Sequence, residues 1–269
     1  MGVRALVVGG GNMAQAIVRG ALDAGVTTPS DWAVAEPDDQ RRALFEGWGV
    51  TTGEDARAML DASGPGCELW WAVKPQIFEK IAHTFGAVGE RVVASIMAGV
   101  ETASIRRHLG DGCRVVRVMP NTPVRVRMGV SALALGPGAT NTDAAFVRSV
   151  FEGVGVVVDL EESLIDAFTG LAGSGPGYLF LVAEAMVRGG VEVGIPERDA
   201  LAMVRALFRG SGELLATASE TPAALREAVT SPGGTTAAGL EALNDARVPE
   251  AFREAILKAR DRGRSLGGA

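Results

Sequence analysis

The chain is poor in the residues that usually announce catalysis or metal binding. Its 269 residues include two cysteines and two histidines, and no lysine lies between Asp166 and Leu215. Cys67 and Cys113 stand far apart and match no metal or redox spacing, so they read as buried thiols in a reducing cytoplasm, and no metal ligand is assigned. His83 and His108 fall in helical patterns and read as surface residues. The balance of charge is acidic, with a formal net charge of −6, which argues against nucleic acid as the main partner. The apolar N-terminus lacks the order of regions that marks a signal peptide. Leu6 stands where a myristoylation motif needs Ser or Thr. The longest charge-free stretch, Ala167 to Ala183, is broken by Gly173-Ser174-Gly175-Pro176-Gly177 and is no membrane span. No internal repeat, low-complexity tract or long linker is visible. These absences leave a soluble cytoplasmic protein.

What is present fits a compact α/β enzyme: 47% hydrophobic residues and 36 glycines. Strands are expected at Val3–Val8, Asp31–Ala35, Leu69–Val73, Arg91–Ile96, Arg114–Met119, Val130–Leu135 and Val154–Val158. Helical patterns lie between them: Ala14, Ile17, Val18 and Ala21 share one face, and Gln76–Phe85 and Asp143–Phe151 follow. This alternation predicts a doubly wound, mostly parallel sheet over residues 1–160. From 161 to 269 the β signal stops. Gly177–Val187 is apolar nearly all round and so should be buried on every side. Leu201, Val204, Leu207, Phe208, Leu214 and Leu215 form a broad apolar stripe, and Pro249–Arg260 is amphipathic. An all-helical half with this much apolar surface predicts burial against a second copy of itself, a homodimer.

Residues Gly9-Gly10-Gly11-Asn12-Met13-Ala14 follow the first strand and open the first helix. This is the G-x-G-x-x-A pattern of dinucleotide sites. Gly9 permits the tight turn, Gly11 admits the pyrophosphate, and Ala14 brings the helix close to the sheet. Free N–H groups at Asn12 and Met13 meet phosphates at the positive helix end. Glu36 ends the second strand, where a carboxylate accepts the ribose hydroxyls of NADH and repels the 2′-phosphate of NADPH. Arg41 and Arg42 follow closely and leave that choice open. Ala72-Val73-Lys74-Pro75 ends the third expected strand and Met119-Pro120-Asn121-Thr122-Pro123 the fifth, the edge at which such sheets bind ligands. Each is also an ordinary β–α turn. Far downstream, Val229-Thr230-Ser231-Pro232-Gly233-Gly234-Thr235-Thr236 makes a Pro-Gly turn before a small-residue helix start. Such a turn aims N–H groups and hydroxyls at one spot and suits a carboxylate, or merely caps the helix.

In this order and spacing, Gly9–Ala14, Ala72–Pro75, Met119–Pro123, Gly173-Ser174-Gly175-Pro176 and Val229–Thr236 resemble the pyrroline-5-carboxylate reductases, over residues of about 3 to 260. The resemblance implies an N-terminal Rossmann-type domain and a C-terminal helical domain interlocked with its twofold mate. Dimers or rings of dimers are implied, a pentamer of dimers among them, with each active site between two subunits. The implied reaction is hydride transfer from NAD(P)H to the C=N bond of 1-pyrroline-5-carboxylate, giving L-proline. Ser231, Gly234, Thr235 and Thr236 fall at the substrate loop, and Glu162 at a further substrate position. Gly9–Met13 (Gly9, Gly11, Asn12 and Met13 above all), Glu36, Ala72, Val73, Lys74, Pro75, Met97, Ala98, Gly99 and Asn121 fall to the cofactor. The sequence departs from the pattern at Glu36, at Thr51–Asp55, where a ribose-contacting Asn has no counterpart, and at Trp70-Trp71, which replaces an aliphatic pair.

A cyclic imine needs little acid help once protonated, so the chemistry calls chiefly for alignment of nicotinamide C4 with the imine carbon and exclusion of water. Thr236 is the expected catalytic residue, its hydroxyl bonded to the ring nitrogen while backbone N–H groups hold the carboxylate. The alternatives are another NAD(P)-dependent imine or β-hydroxyacid oxidoreductase and a non-catalytic NAD(P)-binding regulator. The lack of a lysine in the helical half counts against the β-hydroxyacid option, and the regulator leaves Ser231–Thr236 without a purpose.

Overall fold

The structure, a computed structural model, describes residues 2–267; residue 1 and residues 268–269 of the expected domains lie outside them. Among the described residues eight strands form one sheet: β1 (Ala5–Val8), β2 (Trp32–Ala35), β3 (Thr51–Gly53), β4 (Glu68–Trp71), β5 (Val92–Ser95), β6 (Arg114–Pro120), β7 (Gly129–Leu135) and β8 (Gly155–Asp159). Their order is β3-β2-β1-β4-β5-β6-β7-β8. All pairs are parallel except β6 with β7. The strand order reverses direction between β1 and β4, and the crevice beyond their carboxyl ends is the ligand position of a doubly wound sheet.

All seven expected strands are present, with ends shifted by one or two residues. The eighth, β3, escapes a reading by alternation because Thr51-Thr52-Gly53 is short, polar and only partly buried. As a correction, Ala72–Pro75 therefore follows the fourth strand and Met119–Pro123 closes the sixth. The connecting helices are α1 (Asn12–Asp23), α2 (Asp39–Glu46), α3 (Ala56–Ala62), α4 (Pro75–Phe85), α5 (Thr102–Leu109), α6 (Asn141–Glu152) and α7 (Ile165–Phe168). Beyond them lie α8 (Gly175–Glu192), α9 (Glu197–Thr217), α10 (Pro222–Ala228), α11 (Thr235–Asp245) and α12 (Val248–Gly267). The chain divides into two compact units: residues up to Ser174 with those from Lys258 onward, and Gly175–Leu257. No described helix is long and apolar enough to cross a membrane.

In the first unit, successive strand residues serve opposite faces. Ala5 and Val7 join Ile17, Trp32, Phe146 and Phe151 on one face, while Leu6 and Val8 join Leu69, Leu109 and Val115 on the other. The tryptophan pair is divided in the same way. Trp70 meets Trp32 edge-on at 5.2 Å and lies parallel to Phe151 at 6.0 Å. Trp71 meets Phe78 at 5.2 Å and Phe85 at 5.4 Å across the sheet. Each such buried ring contributes roughly 1.5–3 kcal/mol by removal from water. Both cysteines are buried and unpaired, and burial raises both thiol pKa values. One correction concerns His108: it is partly buried, bonded to Ser104 O at 2.9 Å and set edge-on to Phe78.

At the opposite, amino-terminal end of β4, Glu68 accepts a hydrogen bond from Trp70 Nε1 at 2.9 Å. Burial pushes its pKa up to about 7, against the opposing pull of the Trp70 bond and Arg4. The folded protein therefore holds this proton more tightly than the unfolded chain. The stabilisation is fully present below the ordinary carboxylate pKa and is lost as pH rises to about 7. Glu68→Gln keeps an acceptor for Trp70 and removes the charge. Its stability relative to wild type, from denaturant unfolding, should improve by about 2 kcal/mol between pH 5.5 and 8.5. A pH-independent difference would contradict the assignment.

In the second unit α8 and α9 pack together, with a Cβ built on Gly190 only 3.2 Å from Ala200 Cβ. Tyr178 donates to Ala255 O at 3.4 Å. The expectation that the apolar segment of α8 is buried on every side is not met within one chain. Leu179, Phe180 and Leu181 are 52%, 69% and 62% exposed, and α8 has no buried residue. An exposed apolar face of this extent suits burial against a second chain.

Candidate functional site

The glycine turn is shaped by its neighbours. Gly9 has φ +101°, and a Cβ there would lie 3.0 Å from both Ala72 O and Val73 Cγ1. Only glycine accepts both constraints at this crossing of β1 and β4. Gly11 faces open space and is the N-cap of α1, with no side-chain cap to occupy the first N–H groups. Those of Asn12 and Met13 are thus available to an anion. Gln15 Nε2 donates to Gly10 O at 2.8 Å and braces the turn. Lys74 is the N-cap of α4 and Pro75 its first residue, which suits a ring that lacks an N–H. A cleft of about 870 Å³ runs along this edge, lined in part by Gly9, Gly11, Glu36, Arg41, Ala72 and Lys74. Its size, its open glycine turn and its free helix terminus fit a dinucleotide.

Glu36 is 4% exposed although it ends a strand at the rim of this cleft. Its Oε2 accepts the Gly10 N–H at 2.7 Å and its Oε1 accepts the Asp38 N–H at 3.1 Å. Sequence reasoning placed Gly10 within the cofactor turn; its amide also fixes the acid. Arg41 Nη1 stands 3.6 Å from Glu36 Oε1, with its side chain half-exposed. Arg42 is differently placed. It donates to Glu36 O at 2.8 Å and Pro37 O at 2.9 Å, and pairs with Asp39 at 2.5 Å and Glu54 at 2.9 Å.

Met97, Ala98 and Gly99 follow β5 and lead through Val100 and Glu101 into α5. Glu162 caps that helix from a distant part of the chain: its Oε1 accepts Thr102 N–H at 2.7 Å and its Oε2 accepts Thr102 Oγ1–H at 2.6 Å. Arg117, buried in β6, adds a bond to Glu162 Oε1 at 3.1 Å while its own Nε finds no partner among the described residues. Asn121 is 8% exposed and is spent on the backbone, donating to Ala172 O at 3.1 Å and accepting from Val130 N–H at 2.9 Å. Thr102 and Arg117 were not singled out from sequence. The signal was available for Arg117, a lone charge inside Val115-Val116-Arg117-Val118.

In the second unit, Gly234 N donates to Ser231 O at 3.0 Å, closing the Pro-Gly turn. Gly234 is the N-cap of α11 without a side-chain cap, and Thr235 and Thr236 form its exposed first turn. A Cβ on Gly234 would fall 2.3 Å from Ser231 Oγ. The structure thus gathers Ser231, Gly234, Thr235 and Thr236 at one helix terminus. It gathers Gly9–Met13, Glu36 and Ala72–Pro75 at the sheet edge.

A family model described as pyrroline-5-carboxylate reductase dimerisation matches residues 162–266. The chain is 34% identical over 262 residues to pyrroline-5-carboxylate reductase of Arabidopsis thaliana, covering 96% of this chain and 94% of that protein. It is 38% identical over 273 residues to the Thermus thermophilus protein of the same name, covering 98% of this chain and 99% of that one. A solved pyrroline-5-carboxylate reductase from Coxiella burnetii is similar at TM-score 0.88 and 29% identity, covering 99% of each chain.

Proposed function

The chain belongs to the pyrroline-5-carboxylate reductase family, and on that premise we propose that it reduces the C=N bond of 1-pyrroline-5-carboxylate with NAD(P)H. The product is L-proline and the step is the last of proline biosynthesis. The observation that carries this reading is the uncapped start of α11, where Thr235 and Thr236 stand exposed behind the Ser231–Gly234 turn. The free N–H groups of that first turn hold the substrate carboxylate, aided by the positive end of the helix. Thr236 Oγ1 bonds the ring nitrogen, which is already protonated in the iminium form, so no strong acid is required of the protein. Reduced nicotinamide, when bound, supplies the hydride.

On the cofactor side, the amides of Gly11, Asn12 and Met13 meet the pyrophosphate, while Ala72–Pro75 and Met97–Gly99 line its path. Asn121 belongs to that side as a brace for the backbone beside β6. Glu162 supports the substrate site through the N-terminus of α5. Residues 1–160 act as the dinucleotide-binding domain and residues 161–269 as the helical substrate-binding and dimerisation domain. The enzyme self-associates through the exposed faces of α8 and α9, and it works in the cytoplasm, in keeping with two unpaired buried thiols.

The test is absorbance of NADH or NADPH followed with and without 1-pyrroline-5-carboxylate. Oxidation that depends on the imine, with proline as product, is expected. Oxidation only with a 3-hydroxyacid/3-oxoacid pair, or none despite tight nucleotide binding, would turn the assignment to another oxidoreductase or to a regulator.

A further inference from the structure

The cleft at the end of β2 carries two arginines beside one acid, and only one of the arginines is available. Arg42 is 14% exposed in its side chain. Its two terminal nitrogens are committed to two backbone carbonyls and two carboxylates, as described above. It builds the β2–α2 turn, and both of its terminal nitrogens are already engaged. Arg41 lines the cleft, with a half-exposed guanidinium whose one ionic neighbour among the described residues is Glu36 at 3.6 Å.

Glu36, by contrast, cannot swing away. Two backbone amides hold one lone pair on each oxygen, and a carboxylate has about four such acceptor sites. One acceptor site on each oxygen is left on an acid that lines the cleft, a match for two donors such as a ribose diol provides. A 2′-phosphate would meet a fixed negative charge there. Its natural counter-ion, Arg41, is already drawn to that same acid.

We propose that Glu36 and Arg41 form a selectivity pair, in which the acid selects NADH and holds Arg41 as a latent 2′-phosphate ligand. The proposal rests on the dinucleotide reading of the cleft. Removing the acid frees a guanidinium able to make paired hydrogen bonds to phosphate oxygens. Arg42 takes no part, because releasing it would break the turn it holds together.

The experiment is calorimetric titration of NAD⁺ and NADP⁺ into wild type, Glu36→Ser and Glu36→Ser/Arg41→Ala, without imine substrate. Wild type is expected to bind NAD⁺ at least tenfold more tightly than NADP⁺. Glu36→Ser should reverse that order, and the double variant should lose at least tenfold in NADP⁺ affinity relative to Glu36→Ser. Wild type that binds NADP⁺ more tightly, or a double variant that keeps the gained affinity, overturns the pair while leaving the dinucleotide cleft intact. Binding of neither nucleotide to folded wild type overturns the cleft and the pair together. Should Glu36→Ser fail to fold, Glu36→Gln retains an acceptor for Gly10 N–H. Its NAD⁺ to NADP⁺ affinity ratio should move at least fivefold toward NADP⁺, and no movement overturns the pair.

Discussion

Replacing Thr236 by alanine should lower kcat/KM for 1-pyrroline-5-carboxylate by about 10²-fold, the scale of losing one hydrogen bond aimed at the reacting group, here the iminium N–H that the hydroxyl oxygen accepts. Thr236 occupies the exposed first turn of α11, and its hydroxyl has no hydrogen-bond partner among the described residues. Nothing in the fold depends on it, so the loss should appear without a change in unfolding midpoint. The carboxylate grip comes from backbone N–H groups, which alanine leaves in place, and the effect should therefore fall on kcat more than on KM. Thr236→Ser retains the hydroxyl and should recover most of the rate. Unchanged steady-state constants in the alanine variant would remove Thr236 from the mechanism.

The largest effect on stability is expected at Gly155. It pairs with Gly129 where parallel strands β7 and β8 begin, and its φ is +151°. A Cβ there would lie 2.0 Å from Gly129 O and 2.6 Å from Gly129 C. Both are backbone atoms, so no rotamer change relieves the clash, and β8 must move off the sheet. Gly155→Ala should cost at least about 3 kcal/mol, in the far tail of single substitutions. Gly66 has open space where its Cβ would be and no unusual φ, so Gly66→Ala should stay within about 0.5 kcal/mol. Denaturant midpoints for the two variants make the comparison, and equal losses would contradict the steric argument.

Much of the sheet was legible because its strands are short apolar runs set between glycine turns. β1 and β2 consist wholly of Val, Leu, Ala or Trp, and β4, β5 and β7 carry them at most positions, as a sheet covered on both faces requires. Thr51–Gly53 has none of that signal and joins the sheet only through pairing with Ala33–Ala35. The short helices α2 and α5 were also silent in the sequence. Their buried positions, Phe45 alone in α2 and Thr102, Ile105 and Leu109 in α5, are too few to set a period.

The site was legible as strings and not as a network. The glycine turn, Glu36 and the Ser231–Thr236 loop could be placed on elements from sequence. What holds them could not. Glu162 reaches Thr102 across 60 residues of chain and Gly10 reaches Glu36 across 26, and local pattern carries no trace of bonds over such separations. The same limit explains His108, whose surface reading ignored Phe78 on a neighbouring helix.

The bond from Gly10 to Glu36 has an evolutionary consequence. The acid that meets the ribose is also the acceptor for an amide in the phosphate turn, so cofactor choice and turn geometry share one side chain. Drift at position 36 is constrained from two directions at once. A lineage that trades this acid for a hydroxyl leaves that amide to another acceptor, such as an ordered water. A single replacement there therefore shifts nucleotide preference and the stability of the phosphate turn together.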